Sequence, residues 1–130
     1  MPEISVILPT YNERDNIQPL VSEIFRYLGS DAEVIIVDDT SPDGTWEKAQ
    51  EIAKKNPDVK VLKRKEKLGI ASAISYGISN ASGKIIVWMD ADFSMPPELL
   101  PERQSSFVGP ARSITGPDCH VVLCKRRSHL

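Results

Sequence analysis

Ile85-Ile86-Val87-Trp88-Met89-Asp90-Ala91-Asp92 is a run of five apolar residues, mostly β-branched, that stops abruptly at two carboxylates. A short apolar run without alternation suits a strand covered on both faces, as in a parallel sheet. Three runs upstream share this character: Ile4-Ser5-Val6-Ile7-Leu8, Val34-Ile35-Ile36-Val37 and Val59-Lys60-Val61-Leu62. Between them apolar residues return at helical spacing. Ile17, Leu20, Val21, Ile24, Phe25 and Leu28 mark one helix. Trp46, Ala49, Ile52 and Ala53 mark a weaker second, and Ile70, Ala73, Ile74, Gly77, Ile78 and Ala81 a third. Asn12 is placed to cap the first helix, and Ser41-Pro42-Asp43-Gly44 is turn chemistry ahead of the second. The order β-α-β-α-β-α-β predicts the α/β class, with right-handed crossovers and an open, mostly parallel sheet flanked by helices.

In such sheets ligands lie at the carboxyl ends of the strands. The residues there are Pro9-Thr10-Tyr11-Asn12-Glu13, Asp38-Asp39, Lys63-Arg64-Lys65-Glu66-Lys67 and Asp90-Ala91-Asp92. Singly, each has a bland explanation: Asn12 and Asp38 as caps, Asp43 as a turn residue, the basic run as a solvated loop. Jointly they do not, because three acidic clusters on one edge repel one another unless a cation or hydrogen-bond donors compensate them. Asp90 and Asp92, at i and i+2 of an extended end, point to one side and can share a hard cation, while Ala91 leaves room for a ligand. Mg2+ or Mn2+ held by two carboxylates completes its shell with water and phosphate oxygens, so a diphosphate-bearing substrate is expected.

The 130 residues are 41% apolar and carry a formal charge of -2, which describes one globular domain and argues against nucleic acid as a partner. The longest apolar run is far short of the roughly 20 residues of a membrane span, and the N-terminus lacks a signal-peptide pattern. The expected location is cytoplasmic. No G-x-G-x-x-G is present, and Gly77 to Gly83-Lys84 only approaches a phosphate-binding loop, with one residue too many and Ile85 where Ser or Thr is needed. Both histidines, His120 and His129, lie near the C-terminus, away from any nucleophile pattern.

Ile7-Leu8-Pro9-Thr10-Tyr11-Asn12-Glu13, Val37-Asp38-Asp39 with Ser41-Pro42-Asp43-Gly44-Thr45, Lys67-Leu68-Gly69 and Met89-Asp90-Ala91-Asp92 together resemble the pattern of glycosyltransferase family 2. The dolichol-phosphate (polyprenyl-phosphate) mannosyltransferase branch is the most similar. The resemblance implies a GT-A fold, a Rossmann-like nucleotide-diphospho-sugar transferase architecture. It also implies roles: Pro9, Tyr11 and Glu13 contact the nucleotide, and Val37 and Asp39 hold its base or ribose. Asp90 and Asp92 bind Mg2+ or Mn2+, with Ala91 beside the nucleotide. Some archaeal relatives place a Gln ligand where this chain has Ser94. The implied reaction transfers a hexose, mannose from GDP-mannose or a sugar from a UDP-hexose, to a polyprenyl phosphate with inversion. The acceptor would lie at the membrane surface, with the protein peripheral on its cytoplasmic face.

The resemblance covers residues 1–102, the nucleotide-sugar-binding part, and the chain reads as truncated after the D-x-D motif. Residues 1–102 hold 11 Lys and Arg against 17 Asp and Glu, whereas residues 103–130 hold 5 against 1 and include both cysteines. The tail is expected to be disordered or the product of a shifted reading frame, which DNA sequencing across codon 103 would test. Such a sheet would keep an uncovered edge open to self-association. Alternatives are a nucleotide-binding fragment without catalysis, and a haloacid dehalogenase-type phosphatase, since Asp90-Ala91-Asp92-Phe93-Ser94 approaches D-x-D-x-T. Cys119, His120, Cys124 and His129 match no standard zinc spacing, and Lys125-Arg126-Arg127 is shorter than a typical lipid-binding basic cluster.

Overall fold

The four apolar runs form parallel strands because each can bury both of its faces. A computed structural model describes residues 2–65 and 69–92 in full, and the strands at 112–116 and 119–125 as backbone. The elements are β1 (Ile4–Thr10), α1 (Arg14–Leu28), β2 (Ala32–Asp38), α2 (Thr45–Lys55), β3 (Val59–Lys63), α3 (Ile70–Ser79), β4 (Ile85–Trp88), β5 (Arg112–Gly116) and β6 (Cys119–Lys125). The sheet order is β3-β2-β1-β4-β6-β5. β1 pairs in parallel with β2 (Ile7 with Ile35) and with β4 (Ile4 with Ile85), and β3 continues the parallel set beside β2. The hairpin β5-β6 is antiparallel and joins through Ile85 with Lys125. It lies in the segment for which the sequence offers no strand pattern, so the parallel core expected over the first hundred residues gains an antiparallel extension.

Period-two alternation of the buried strands sorts their side chains onto two helix layers. Ile4, Val6, Leu8, Val34, Ile36 and Val87 meet Ile17, Leu20, Val21 and Ile24 of α1 and Ala49 of α2. On the opposite face Ile7, Ile35, Val37 and Ile86 meet Ala73 of α3 and Ala81. α3 lies close to the sheet because its contact residues are small: a Cβ on Gly77 would stand 2.5 Å from Ile7 Cγ2. Ile70, which the periodicity places on the core stripe, is instead 52% exposed. It occupies the first turn of α3, which overhangs the strand ends rather than the sheet face. β3 is one edge of the sheet, and its exposed Lys60 and Lys63 disfavour edge-to-edge pairing with another chain.

A polar knot fastens the end of the sheet remote from the strand carboxyl termini. Ser5 and Glu33 are register partners, and Ser5 Oγ donates to Glu33 Oε2 at 2.6 Å. The Ser82 N–H donates to the same oxygen at 2.6 Å, the Lys60 ammonium lies 3.0 Å from Oε1, and the Gly83 N–H donates to Ser5 Oγ at 2.7 Å. Burial pushes the Glu33 carboxyl up, but the hydrogen bonds from Ser5, Ser82 and Lys60 outweigh it and hold the group below its ordinary value. A depressed carboxylate contributes stability above its unfolded-state value, and loses it as the pH falls through the folded value. Glu33→Gln is therefore expected to lower stability by about 1–3 kcal/mol at neutral pH. The gap to wild type should close below the ordinary value of 4.5. Urea midpoints across that range test this, and a gap independent of pH would refute it.

Candidate functional site

The chain runs from β1 outward to β3 and then returns across the sheet through α3 to β4, on the other side of β1. The order of strands therefore reverses between β1 and β4, and it is at such a switch point, at the strand carboxyl ends, that a crevice is expected. A cleft of about 190 Å³ lies there. It is lined by Pro9 and Thr10 at the end of β1, Tyr11 and Glu13 after it, Asp39 after β2, Gly69, Ile70 and Ala73 at the start of α3, and Asp90, Ala91 and Asp92 after β4. Of the residues singled out in the sequence, Pro9, Tyr11, Glu13, Asp39, Asp90, Ala91 and Asp92 thus meet in one place. Val37 does not line the cleft. It is the next-to-last residue of β2, fully buried with Ile7 and Ala73 on the α3 side of the sheet.

Within the cleft Asp90 is half-buried, Ala91 is 2% exposed and Asp92 is exposed. Tyr11 is 40% exposed. Among the described residues no group of three or more His, Cys, Asp or Glu side chains converges as a metal cage. Ser94 and the side chains of Cys119, His120, Cys124 and His129 lie outside the described residues. A larger groove of about 610 Å³ between α1 and α2 is bordered by Arg14, Asp15, Glu47, Lys48 and Glu51, whose signs are mixed. Its charges favour no ligand class, and none of the strand-end residues borders it.

Asp39 is held by a fork. Arg64 Nε donates to Asp39 Oδ1 and Arg64 Nη2 to Oδ2, both at 2.6 Å, and each side chain is 7% exposed. The same guanidinium donates to Ser72 Oγ at 2.5 Å and to the Gly69 carbonyl at 3.0 Å. Its hydrogen bonds with Asp39 push the guanidinium pKa above its ordinary value. Within the basic run that the sequence reads as a solvated loop, Arg64 thus turns inward and ties the ends of β2 and β3 to the start of α3. It supplies part of the compensation that the acidic edge needs. Thr40, a β-branched residue at φ 54, completes the join by donating to the Arg64 carbonyl at 2.5 Å. A left-handed backbone at such a residue costs energy and persists only where its surroundings enforce it.

The β1–α1 loop is held from the neighbouring turn. Asn12 does not cap α1; it sits at φ 57 one residue ahead of the helix boundary at Glu13. Its N–H donates to Ser41 Oγ at 3.0 Å, the Glu13 N–H donates to Thr45 Oγ1 at 3.0 Å, and the Arg14 N–H donates to Asp43 Oδ2 at 3.3 Å. The turn is itself braced: Ser41 donates to Asp38 through its N–H at 3.0 Å and its hydroxyl at 2.6 Å. Thr45 donates to Asp43 Oδ1 through both its N–H and its hydroxyl. Burial raises the Asp43 carboxyl, but the Thr45 hydroxyl, the Thr45 N–H and the Arg14 N–H outweigh it and leave the group below its ordinary value. Asp38, fully buried, also accepts from Thr10 Oγ1 at 2.8 Å. It thus joins the end of β1 to the turn that follows β2, and it caps no helix, since α2 begins at Thr45.

The profile of glycosyl transferase family 2 matches residues 5–127. A dolichol-phosphate mannosyltransferase of Pyrococcus furiosus is 50% identical over 101 residues, 77% of this chain and 28% of that protein. One from Saccharomyces cerevisiae is 38% identical over 104 residues, 77% of this chain and 39% of that protein. A mannosyltransferase of Pyrobaculum calidifontis, solved with GDP-Man and Mn2+, superposes with a TM-score of 0.64 at 35% identity, covering 70% of this chain and 28% of that one. TarS of S. aureus, solved with UDP-GlcNAc, gives 0.62 at 27% identity, over 71% of this chain and 27% of that one. The chain thus spans between about a quarter and two fifths of the length of these relatives.

Proposed function

The chain belongs to glycosyl transferase family 2, and on that premise we propose that it forms the donor-binding part of a mannosyl-transferring enzyme. The observation that carries this is the convergence of Asp90, Ala91 and Asp92 with Pro9, Tyr11, Glu13 and Asp39 on one cleft. The proposed donor is GDP-mannose, supported by the relatives' names and by the GDP-Man held by the Pyrobaculum neighbour. A UDP-hexose is the alternative, supported by the UDP-GlcNAc in TarS. The proposed acceptor is a polyprenyl phosphate at a membrane surface. Among the described residues no helix is long and apolar enough to cross a membrane. The donor part proposed here is residues 1–102, with residues 103–130 outside it.

Two carboxylates separated by one small residue fit a hard divalent ion that keeps water and phosphate oxygens in its shell. Asp90 and Asp92 would hold Mg2+ or Mn2+, which when bound supplies Lewis-acid stabilisation of the departing diphosphate. The chain's own residues orient the donor. Tyr11 lines the cleft beside Pro9 and Glu13, Asp39 offers fixed acceptors to base or ribose donors, and Ala91 keeps the wall narrow. In the proposed transfer an oxygen of the acceptor phosphate forms a bond to the anomeric carbon, and the bond to the diphosphate oxygen breaks with its electron pair. The attacking oxygen is already anionic, so the step requires no strong general base.

Calorimetric titration of GDP and UDP with Mn2+, with EDTA, and into Asp92→Asn tests the site. Binding that needs the metal and weakens at least tenfold in the variant is expected; folded wild-type protein that binds neither nucleotide would refute the proposal. A donor part that binds nucleotide without transferring is the second reading. Mannosyl transfer to a short polyprenyl phosphate separates the two. Hydrolysis of an aryl phosphate is expected to be absent, because the D-x-D follows the fourth strand rather than the first.

A further inference from the structure

We propose that Ser41, Asp43 and Thr45 are positioning residues, a clamp that sets the Tyr11–Glu13 wall of the cleft from the far side of the loop. The inference rests on the proposed nucleotide site only where it concerns affinity. The geometry is unusual in its direction. Three consecutive backbone donors, the N–H groups of Asn12, Glu13 and Arg14, each meet a different side chain of one five-residue turn, at 3.0, 3.0 and 3.3 Å. A helix start ordinarily satisfies such donors with its own cap or with water. Here α1 has no side-chain cap hydrogen bond at Glu13, and these three donors meet side chains 29 to 32 positions away in the chain.

The clamp is stiff for two reasons. Thr45 is fully buried, and Ser41 is fixed by Asp38, whose carboxylate also accepts from Thr10, a cleft residue. Movement of the turn would therefore move the backbone that carries Tyr11 and Glu13. Ligand chemistry is affected as well. Donors at a helix start form a ready anion site when they face solvent. The Arg14 N–H and its two predecessors are engaged, and these donors are not available to a phosphate. The diphosphate of a donor is left to a metal held by Asp90 and Asp92 and to the other walls of the cleft.

The test compares wild type with Ser41→Ala, Thr45→Val and Thr45→Ser by amide hydrogen exchange and by GDP titration with Mn2+. Exchange at residues 12–14 is expected to accelerate at least tenfold in Ser41→Ala and Thr45→Val, while residues 20–24 in the body of α1 keep wild-type protection. GDP affinity should fall at least fivefold in both, and Thr45→Ser should restore both readouts. Ser41→Ala, at a half-buried position, keeps the test valid if Thr45→Val does not fold. Unchanged exchange at residues 12–14 overturns the clamp, as does unchanged GDP affinity in a variant whose exchange has accelerated. If the wild type binds no nucleotide, the proposed function falls, and exchange with its rescue by Thr45→Ser alone decides the clamp.

Discussion

Arg64→Met is expected to lower the unfolding free energy by about 3–5 kcal/mol, because it strips one partner from a buried ion pair and leaves the other without its counter-charge. The fork on Asp39 cannot be replaced by water without opening the junction of β2, β3 and α3, since both side chains are 7% exposed. Methionine fills the volume of the stem but supplies none of the donors to Asp39, Ser72 or the Gly69 carbonyl. Arg64→Lys, which keeps a charge but not the planar fork, should lose less. The decisive comparison is the pair Arg64→Met and Asp39→Ala. If the penalty comes from the stranded carboxylate, the double variant will be more stable than Arg64→Met alone. Equal denaturant midpoints for the two would mean that the ion pair is not the source of the loss. Because Asp39 lines the cleft, the single variant should also weaken GDP binding under conditions where it remains folded.

Gly83→Val should be the most damaging of the glycine substitutions, at about 3 kcal/mol, the upper end of the usual overpacking cost. A Cβ at this position would lie 2.6 Å from Ser5 Oγ, 2.7 Å from the Ser5 nitrogen and 2.8 Å from the Ile4 carbonyl carbon. Two of these are backbone atoms of the central strand, which cannot retreat without disturbing its pairing with β2 and β4. The Gly83 N–H would also be drawn away from Ser5 Oγ, loosening the knot around Glu33. Gly77→Ala makes an equally short contact, 2.5 Å, but with a side-chain atom, Ile7 Cγ2, so the strain falls on one buried side chain and the position of α3 rather than on the backbone of the strand. About 1–2 kcal/mol is expected there. Thermal unfolding of the two variants side by side checks the ranking, and a Gly77→Ala more harmful than Gly83→Val would show that the helix face is less forgiving than the strand.

The strands and helices of the first ninety residues were readable because burial on both faces demands continuous β-branched runs, and burial on one face demands helical spacing. The cleft was readable for the same reason: once the sheet is parallel, its ligand edge is fixed, and Pro9 lies near the end of β1 while Tyr11, Glu13, Asp39, Asp90, Ala91 and Asp92 follow strands. Contacts between residues distant in sequence were harder to read. Nothing in Lys63-Arg64-Lys65-Glu66-Lys67 distinguishes the one charge that turns inward, because its partner belongs to another strand. Ser41-Pro42-Asp43-Gly44-Thr45 looks like a turn and is one, while its bonds to residues 12–14 depend on the β1–β2 pairing. A charged residue beside an apolar run, Glu33, is a signal in itself. It becomes interpretable only when the register sets it against Ser5. Val37 shows the reverse limit, since the alternation that puts Asp38 at the loop turns Val37 into the core.

The borrowed start of α1 also has a bearing on how the protein comes off the ribosome. A 15-residue helix is marginal on its own in water, and here the side chains that complete its first turn belong to residues 41–45. Until residues 41–45 have been synthesised and β2 has paired, β1 and α1 therefore lack these partners. Completion of the first turn of α1 is accordingly expected to wait for Thr45, and fragments cut between α1 and β2 are expected to fold better together than apart.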